Sequence, residues 1–171
     1  MKERRAGRNE ARRMILVSSC LAGHEVRYNG THCLSEKIGA LLRDGRAAAV
    51  CPELMGGFST PREPAEIQGG SGEDVLDGAA RVVDRAGLDV TALYLAGAYK
   101  TLEQARAVGA DTVILKENSP SCGSSAIYDG HFNGMKIPGS GVTAALLRRH
   151  GIRVLSEEEM QEWDGASCAQ G

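Results

Sequence analysis

The run Thr112-Val113-Ile114-Leu115 constrains the fold more than any other segment of the chain. It has no polar alternation, so it reads as a short strand covered on both faces. Strands buried in that way belong to parallel sheets, whose crossover connections lay helices over both sides. Met14-Ile15-Leu16-Val17-Ser18 has the same character, and 47–51 and 152–155 supply two further strand candidates. Helical signals fall between these runs. Leu34, Ile38, Leu41 and Leu42 recur at helical spacing before Gly45. Residues 90–108 form a long amphipathic stretch with Asp89 as N-cap and Gly109 just beyond, and 141–150 lie between Ser140 and Gly151. Ser156 with Glu159 has the capping-box pattern that opens a last short helix. This alternation predicts one α/β domain over residues 14–164, a three-layer Rossmann-like fold with a mostly parallel sheet. A small antiparallel hairpin is expected as an insertion near 66–84, around Gly69-Gly70-Ser71-Gly72.

Charge is distributed unevenly. Residues 1–13 carry six basic and two acidic side chains, a net +4, which leaves −6 for the rest of a chain whose total is −2. The basic segment is expected to be a solvated, disordered extension, and 165–171 a frayed tail. An acidic body argues against an extended nucleic-acid surface, though not against a single nucleotide in a pocket. No apolar run approaches a membrane span and no signal-peptide pattern opens the chain, so a cytoplasmic protein without a membrane partner is expected.

Three of the five cysteines fall at telling places. Cys20 stands two residues past the first strand, Cys51 ends the second, and Cys122 lies in the polar loop after Leu115. In a parallel sheet the C-terminal strand ends share one edge, where open α/β sheets bind their ligands. These thiols, separated by 30 and 70 intervening residues, are therefore expected in one crevice. Cys33 and Cys168 are not placed by this reasoning. Four chemistries suit such a trio: buried thiols packed as small hydrophobes, zinc with three thiolates and a water, an iron–sulfur cluster with an open iron, or Cys122 as a nucleophile. Spacing does not choose among them.

The surrounding residues narrow the choice. Cys20-Leu-Ala-Gly-His-Glu-Val-Arg-Tyr-Asn-Gly30, Cys51-Pro-Glu-Leu-Met-Gly-Gly57, Thr60-Pro-Arg-Glu-Pro-Ala-Glu66 and Leu115-Lys-Glu-Asn-Ser-Pro-Ser-Cys-Gly-Ser-Ser125 resemble the bacterial thiouracil desulfidase family. Asp129-Gly130 and Pro138-Gly139-Ser140-Gly141-Val142-Thr143 are similar as well, so the resemblance spans about 14–160. It implies a [4Fe–4S] cluster on Cys20, Cys51 and Cys122, with the fourth iron open to the substrate's sulfur. It also implies a catalytic acidic residue and a catalytic serine mapping to Glu53 and Ser119, with Ser121 as the alternative serine. The substrate implied is a small thiolated pyrimidine, open between base, nucleoside and nucleotide. The basic extension, Cys33 and Cys168 match no family motif.

This chemistry suits these residue types. Sulfur in a C=S group is a soft donor, and an iron with a vacant position is a suitable Lewis acid for it. A fourth cysteine would close that position. Glu53, two residues after Cys51 in a Pro/Gly-rich loop, is placed to serve the attacking water as base. Ser121, Lys116 and Arg27 are expected to contact the substrate, and Arg62 is a further cation of that kind. Glu66 is expected to pair with an arginine and fix the long loop. Two other readings compete: a tRNA-directed sulfur-transfer enzyme gripping RNA with its basic tail, and a non-catalytic iron–sulfur or zinc module.

Overall fold

A computed structural model describes residues 14–19, 38–57 and 63–159. The expectations for 1–13, Cys20, Arg27, Cys33, Arg62 and Cys168 lie outside the described residues.

Four strands make the main sheet: β1 (Ile15–Ser18), β2 (Ala47–Val50), β5 (Thr112–Leu115) and β8 (Arg153–Ser156), in the order β2-β1-β5-β8 and all parallel. Along each strand the side chains alternate between two cores, as the period of two requires. Leu16, Val113, Leu115 and Val154 face one core. Ile15, Val17, Ile114 and Leu155 face the other, with Ile38, Leu41 and Leu42 from a helical segment over 38–43. The sheet is thus sandwiched between helical layers, the three-layer Rossmann-like arrangement expected from its unbroken apolar strands.

The first core is roofed by α3 (Thr91–Val108) and α4 (Val142–Arg149). Tyr94, Gly97, Ala98, Thr101, Leu102 and Ala105 form the buried stripe of α3, spaced as one helix face demands. The stop is Gly109, in the left-handed region at φ 69°, with Ala110 N donating to Ala105 O at 2.8 Å. At the other end Asp89 Oδ1 accepts the Thr91 N–H at 2.9 Å, although the helix cap itself is Val90. The Ser156–Glu159 capping box forms in both directions.

The structure adds three local details. The stretch after Cys51 is not wholly irregular, because Pro52–Met55 close a helical turn, α1. Proline fits the first helical position, where its missing N–H costs nothing. The expected antiparallel pair forms as β3 (Ala65–Gln68) and β4 (Arg81–Asp84), with α2 (Gly72–Leu76) in the connection. A second antiparallel pair, β6 (Ala126–Tyr128) with β7 (Lys136–Pro138), was not foreseen. Its strands have only three residues each, too few for a period-two signal.

Where α1 meets α3 the backbones touch. A methyl group on Gly97 would overlap the Pro52 carbonyl oxygen, and one on Gly56 would overlap the Leu93 carbonyl. Thr101 Oγ1 also reaches Met55 Sδ at 3.6 Å. Gly97→Ala is expected to cost about 2 kcal/mol by overpacking. In a chain of this size that lowers Tm by about 4–8 °C in a thermal melt. An unchanged Tm would show that the two helices separate without cost.

Candidate functional site

The register of the sheet sets the site. Ser18 pairs with Val50 and Leu115 with Ser156, so the C-terminal ends of the strands form one level edge. The chain leaves β1 for β2 on one side and passes to β5 and β8 on the other, so the strand order reverses between β1 and β5. Open α/β sheets bind ligands at that reversal. A cavity of about 750 Å³ lies there, within the range of small-molecule sites. Ser18, Cys51, Glu53, Glu66, Lys116, Glu117, Ser119 and Cys122 line it, with Arg85, Tyr94, Tyr128 and Phe132 completing its charged and aromatic walls.

Cys51 and Cys122, 71 residues apart in sequence, therefore open on one space, and neither is in a disulfide. Cys51 is partly buried and follows directly on β2. Cys122 is buried at 4% exposure in the loop after β5. Ser18, at the end of β1, borders the same cavity two residues before Cys20. Among the described residues no group of three metal-ligating side chains occurs.

The loop carrying Cys122 is held from three directions. Ser119 Oγ accepts the N–H groups of Ser121 (3.1 Å) and Cys122 (2.8 Å). The first amides of α4 have no intrahelical partner. Val142 N donates instead to Pro120 O (2.8 Å) and Thr143 N to Ser121 O (2.9 Å). From the third side comes Glu117. Its Oε1 accepts N–H groups from Ser124 (2.8 Å), Ser125 (2.9 Å) and Ala126 (3.0 Å), and its Oε2 accepts the Ser124 hydroxyl at 2.6 Å. Burial pushes the Glu117 carboxyl up. The Ser124 hydroxyl and the amides of Ser125, Ala126 and Ser124 outweigh that and hold it below its usual value.

A carboxyl with a depressed folded pKa stabilises fully above its ordinary value, about 4.3, and the contribution fades as pH falls through the folded value. Glu117→Gln keeps one acceptor oxygen and loses the charge-assisted bonds. It is expected to cost about 2 kcal/mol at neutral pH, and the difference from wild type should shrink in melts run progressively below pH about 4.3. A difference independent of pH would contradict the role given to the ionised carboxylate.

Glu53, in the first turn of α1, borders the cavity, and its Oε2 accepts a hydrogen bond from Tyr94 Oη at 3.2 Å. Tyr94 is buried at 3% on α3, so the tyrosine fixes the carboxylate from behind. Lys116 is exposed at the cavity rim. Ser121 does not line the cavity. It is 1% exposed, and its Oγ lies 2.8 Å from Thr143 Oγ1 beneath the loop. Ser119, by contrast, borders the cavity. Glu66 does fix a loop, but through backbone: its Oε1 accepts the N–H of Gly130 (3.0 Å) and of Phe132 (3.2 Å). Glu117, Tyr94 and Arg85 were missed from sequence, and Phe132, like Phe58 and Trp163, gives no recognisable stacking platform from sequence alone. The only signal available for any of them was Glu117's place inside the Cys122 motif.

Residues 15–159 match the model of the 2-thiouracil desulfurase family. The chain belongs to the 2-thiouracil desulfurase family. It is 63% identical over 149 residues to the protein called "Uncharacterized protein YbbK" of Bacillus subtilis (strain 168), covering 87% of this chain and 99% of that one. Its structure resembles that of the [4Fe-4S]-dependent thiouracil desulfidase TudS (DUF523Vcz), with a TM-score of 0.75 and 47% identity over 88% of this chain and 95% of the other. Among the described residues no helix is long and apolar enough to cross a membrane.

Proposed function

We propose that this chain removes sulfur from thiouracil or a related thiolated pyrimidine, with a [4Fe–4S] cluster held by Cys20, Cys51 and Cys122. One juxtaposition carries the proposal: Cys51 and Cys122 open on a single cavity together with Glu53 and Ser119. The donor set suits the cluster, since thiolates are the ligands iron–sulfur centres take. Two peptide units tether Cys20 to within about 8 Å of Ser18, which borders the same space. When bound, a cluster on three thiolates supplies an open iron, a Lewis acid soft enough for the substrate's sulfur.

The rest is the work of the protein's own groups. Water attacks the C=S carbon, its oxygen becomes the carbonyl of the product, and sulfur leaves as sulfide, with no net electron transfer. Glu53 takes the water's proton and returns one to the departing sulfide or the ring. Tyr94 keeps that carboxylate aimed at the cavity. Ser119 already accepts two backbone N–H groups and retains its own proton to donate, so it orients water or substrate. Lys116 serves the exposed side of the substrate, and Arg27 stands as a second cation for it. Base, nucleoside and nucleotide all belong among the substrates tested.

Anaerobically reconstituted protein is expected to convert 2-thiouracil or 4-thiouracil, or their nucleosides or nucleotides, into the oxo product and sulfide in equal amounts. Product chromatography beside a sulfide assay measures this. No conversion of any of these compounds by cluster-loaded protein would refute the proposal.

A further inference from the structure

We infer that Phe132 is the surface on which the pyrimidine ring stacks, with Glu66 and Arg85 holding it in place, an assignment that rests on the desulfidase reading above. Phe132 is one of two phenylalanines in the chain, and it borders the cavity. Its backbone sits at φ 53°, in the left-handed region that a bulky residue adopts only at a cost. Glycine would occupy that position without strain. Strained residues persist where the surroundings over-determine them, and they concentrate at binding sites.

The surroundings here do over-determine it. The Glu66 carboxylate, only 7% exposed, bonds the N–H of Phe132 itself and of Gly130 two residues earlier. Asp129 Oδ1 accepts the His131 N–H (2.9 Å) and Asn133 Oδ1 the Met135 N–H (3.0 Å), so the turn is braced on both sides of Phe132. Gly130 itself is packed against the Ile67 carbonyl, where a side chain would not fit. A buried carboxylate is thus committed to the backbone of one exposed-edge loop, and the aromatic ring which that loop carries to the cavity is what the arrangement delivers.

Arg85 adds a second constraint. Its guanidinium carbon lies 6.0 Å from the centroid of the Phe132 ring, within cation–π range. Arg85 follows β4 and is anchored by its own N–H to Pro64 O at 2.8 Å. With the cation on one face of the ring, a flat heterocycle takes the other. Stacking of this kind reads the ring and not its exocyclic atoms. Phe132 therefore favours planar heterocycles and contributes alike to thiolated substrate and oxo product.

The test measures two quantities on anaerobically reconstituted enzyme: KM for 2-thiouracil, and the dissociation constant of uracil by equilibrium dialysis. F132A is expected to raise both about tenfold, with kcat changed far less. F132L keeps bulk without a π face and should behave like F132A, whereas F132Y should stay near wild type. M135A, in the same turn with its side chain 60% exposed, should leave both constants unmoved. E66A should weaken uracil binding in the wild-type background and add little in F132A, since it acts through that ring. Unchanged uracil affinity in F132A and F132L would overturn the assignment. Wild-type protein that binds uracil in a Phe132-dependent way yet turns over no thiolated pyrimidine would leave this assignment standing and sink the desulfidase reading instead.

Discussion

Serine in place of Cys51 is expected to abolish sulfide release, at least a hundredfold, and to lower iron per chain after anaerobic reconstitution. Even groups one shell out from a metal typically cost 10–100-fold when removed, and a direct ligand costs more. Cys51 is the more informative of the two described thiols because it is partly buried, so a serine there leaves the core intact. Cys122 belongs to the main core at 4% exposure, and C122S adds a packing penalty to the loss of a ligand. The two variants should agree in activity and iron content and differ in thermal stability. An iron-poor C51S protein that still releases sulfide at the wild-type rate would remove the cluster from the reaction.

Glu53→Gln is expected to lower kcat by about 10²–10⁴-fold, the span of a lost general base, with iron content unchanged and KM altered much less. Glutamine is the right replacement because its side-chain oxygen still accepts the Tyr94 hydroxyl, so α1 stays docked on α3. Ser119 does not offer so clean an experiment. Its Oγ is the acceptor for the amides of Ser121 and Cys122, and S119A disturbs the cysteine loop before it disturbs any chemistry. Full activity in iron-loaded E53Q would transfer the base to another group.

The parallel sheet could be read from Ile15–Val17 and Val113–Leu115 because strands buried on both faces leave an unbroken apolar signature. That reading in turn brought Cys51 and Cys122 to one edge, since parallel strands end together. What escaped was tertiary. Tyr94 reaches Glu53 across 41 residues, and Glu66 reaches Phe132 across 66, and neither pairing has a local pattern to betray it. Ser121 and Ser119 stand two apart in one motif, yet one is sealed against Thr143 and the other borders the cavity. Loop chemistry alone does not give the direction of a side chain. The same holds for Glu66, whose carboxylate was expected on an arginine and instead serves two backbone amides.

Turnover measured against iron content tests the central claim most directly. One preparation of the chain is loaded anaerobically to a series of occupancies between zero and about four irons per chain. Sulfide release from its best thiolated pyrimidine is then followed at each. A rate that rises in step with cluster occupancy, and disappears in iron-free protein, is the expected result. Iron-free protein that releases sulfide as fast as the loaded enzyme would contradict it.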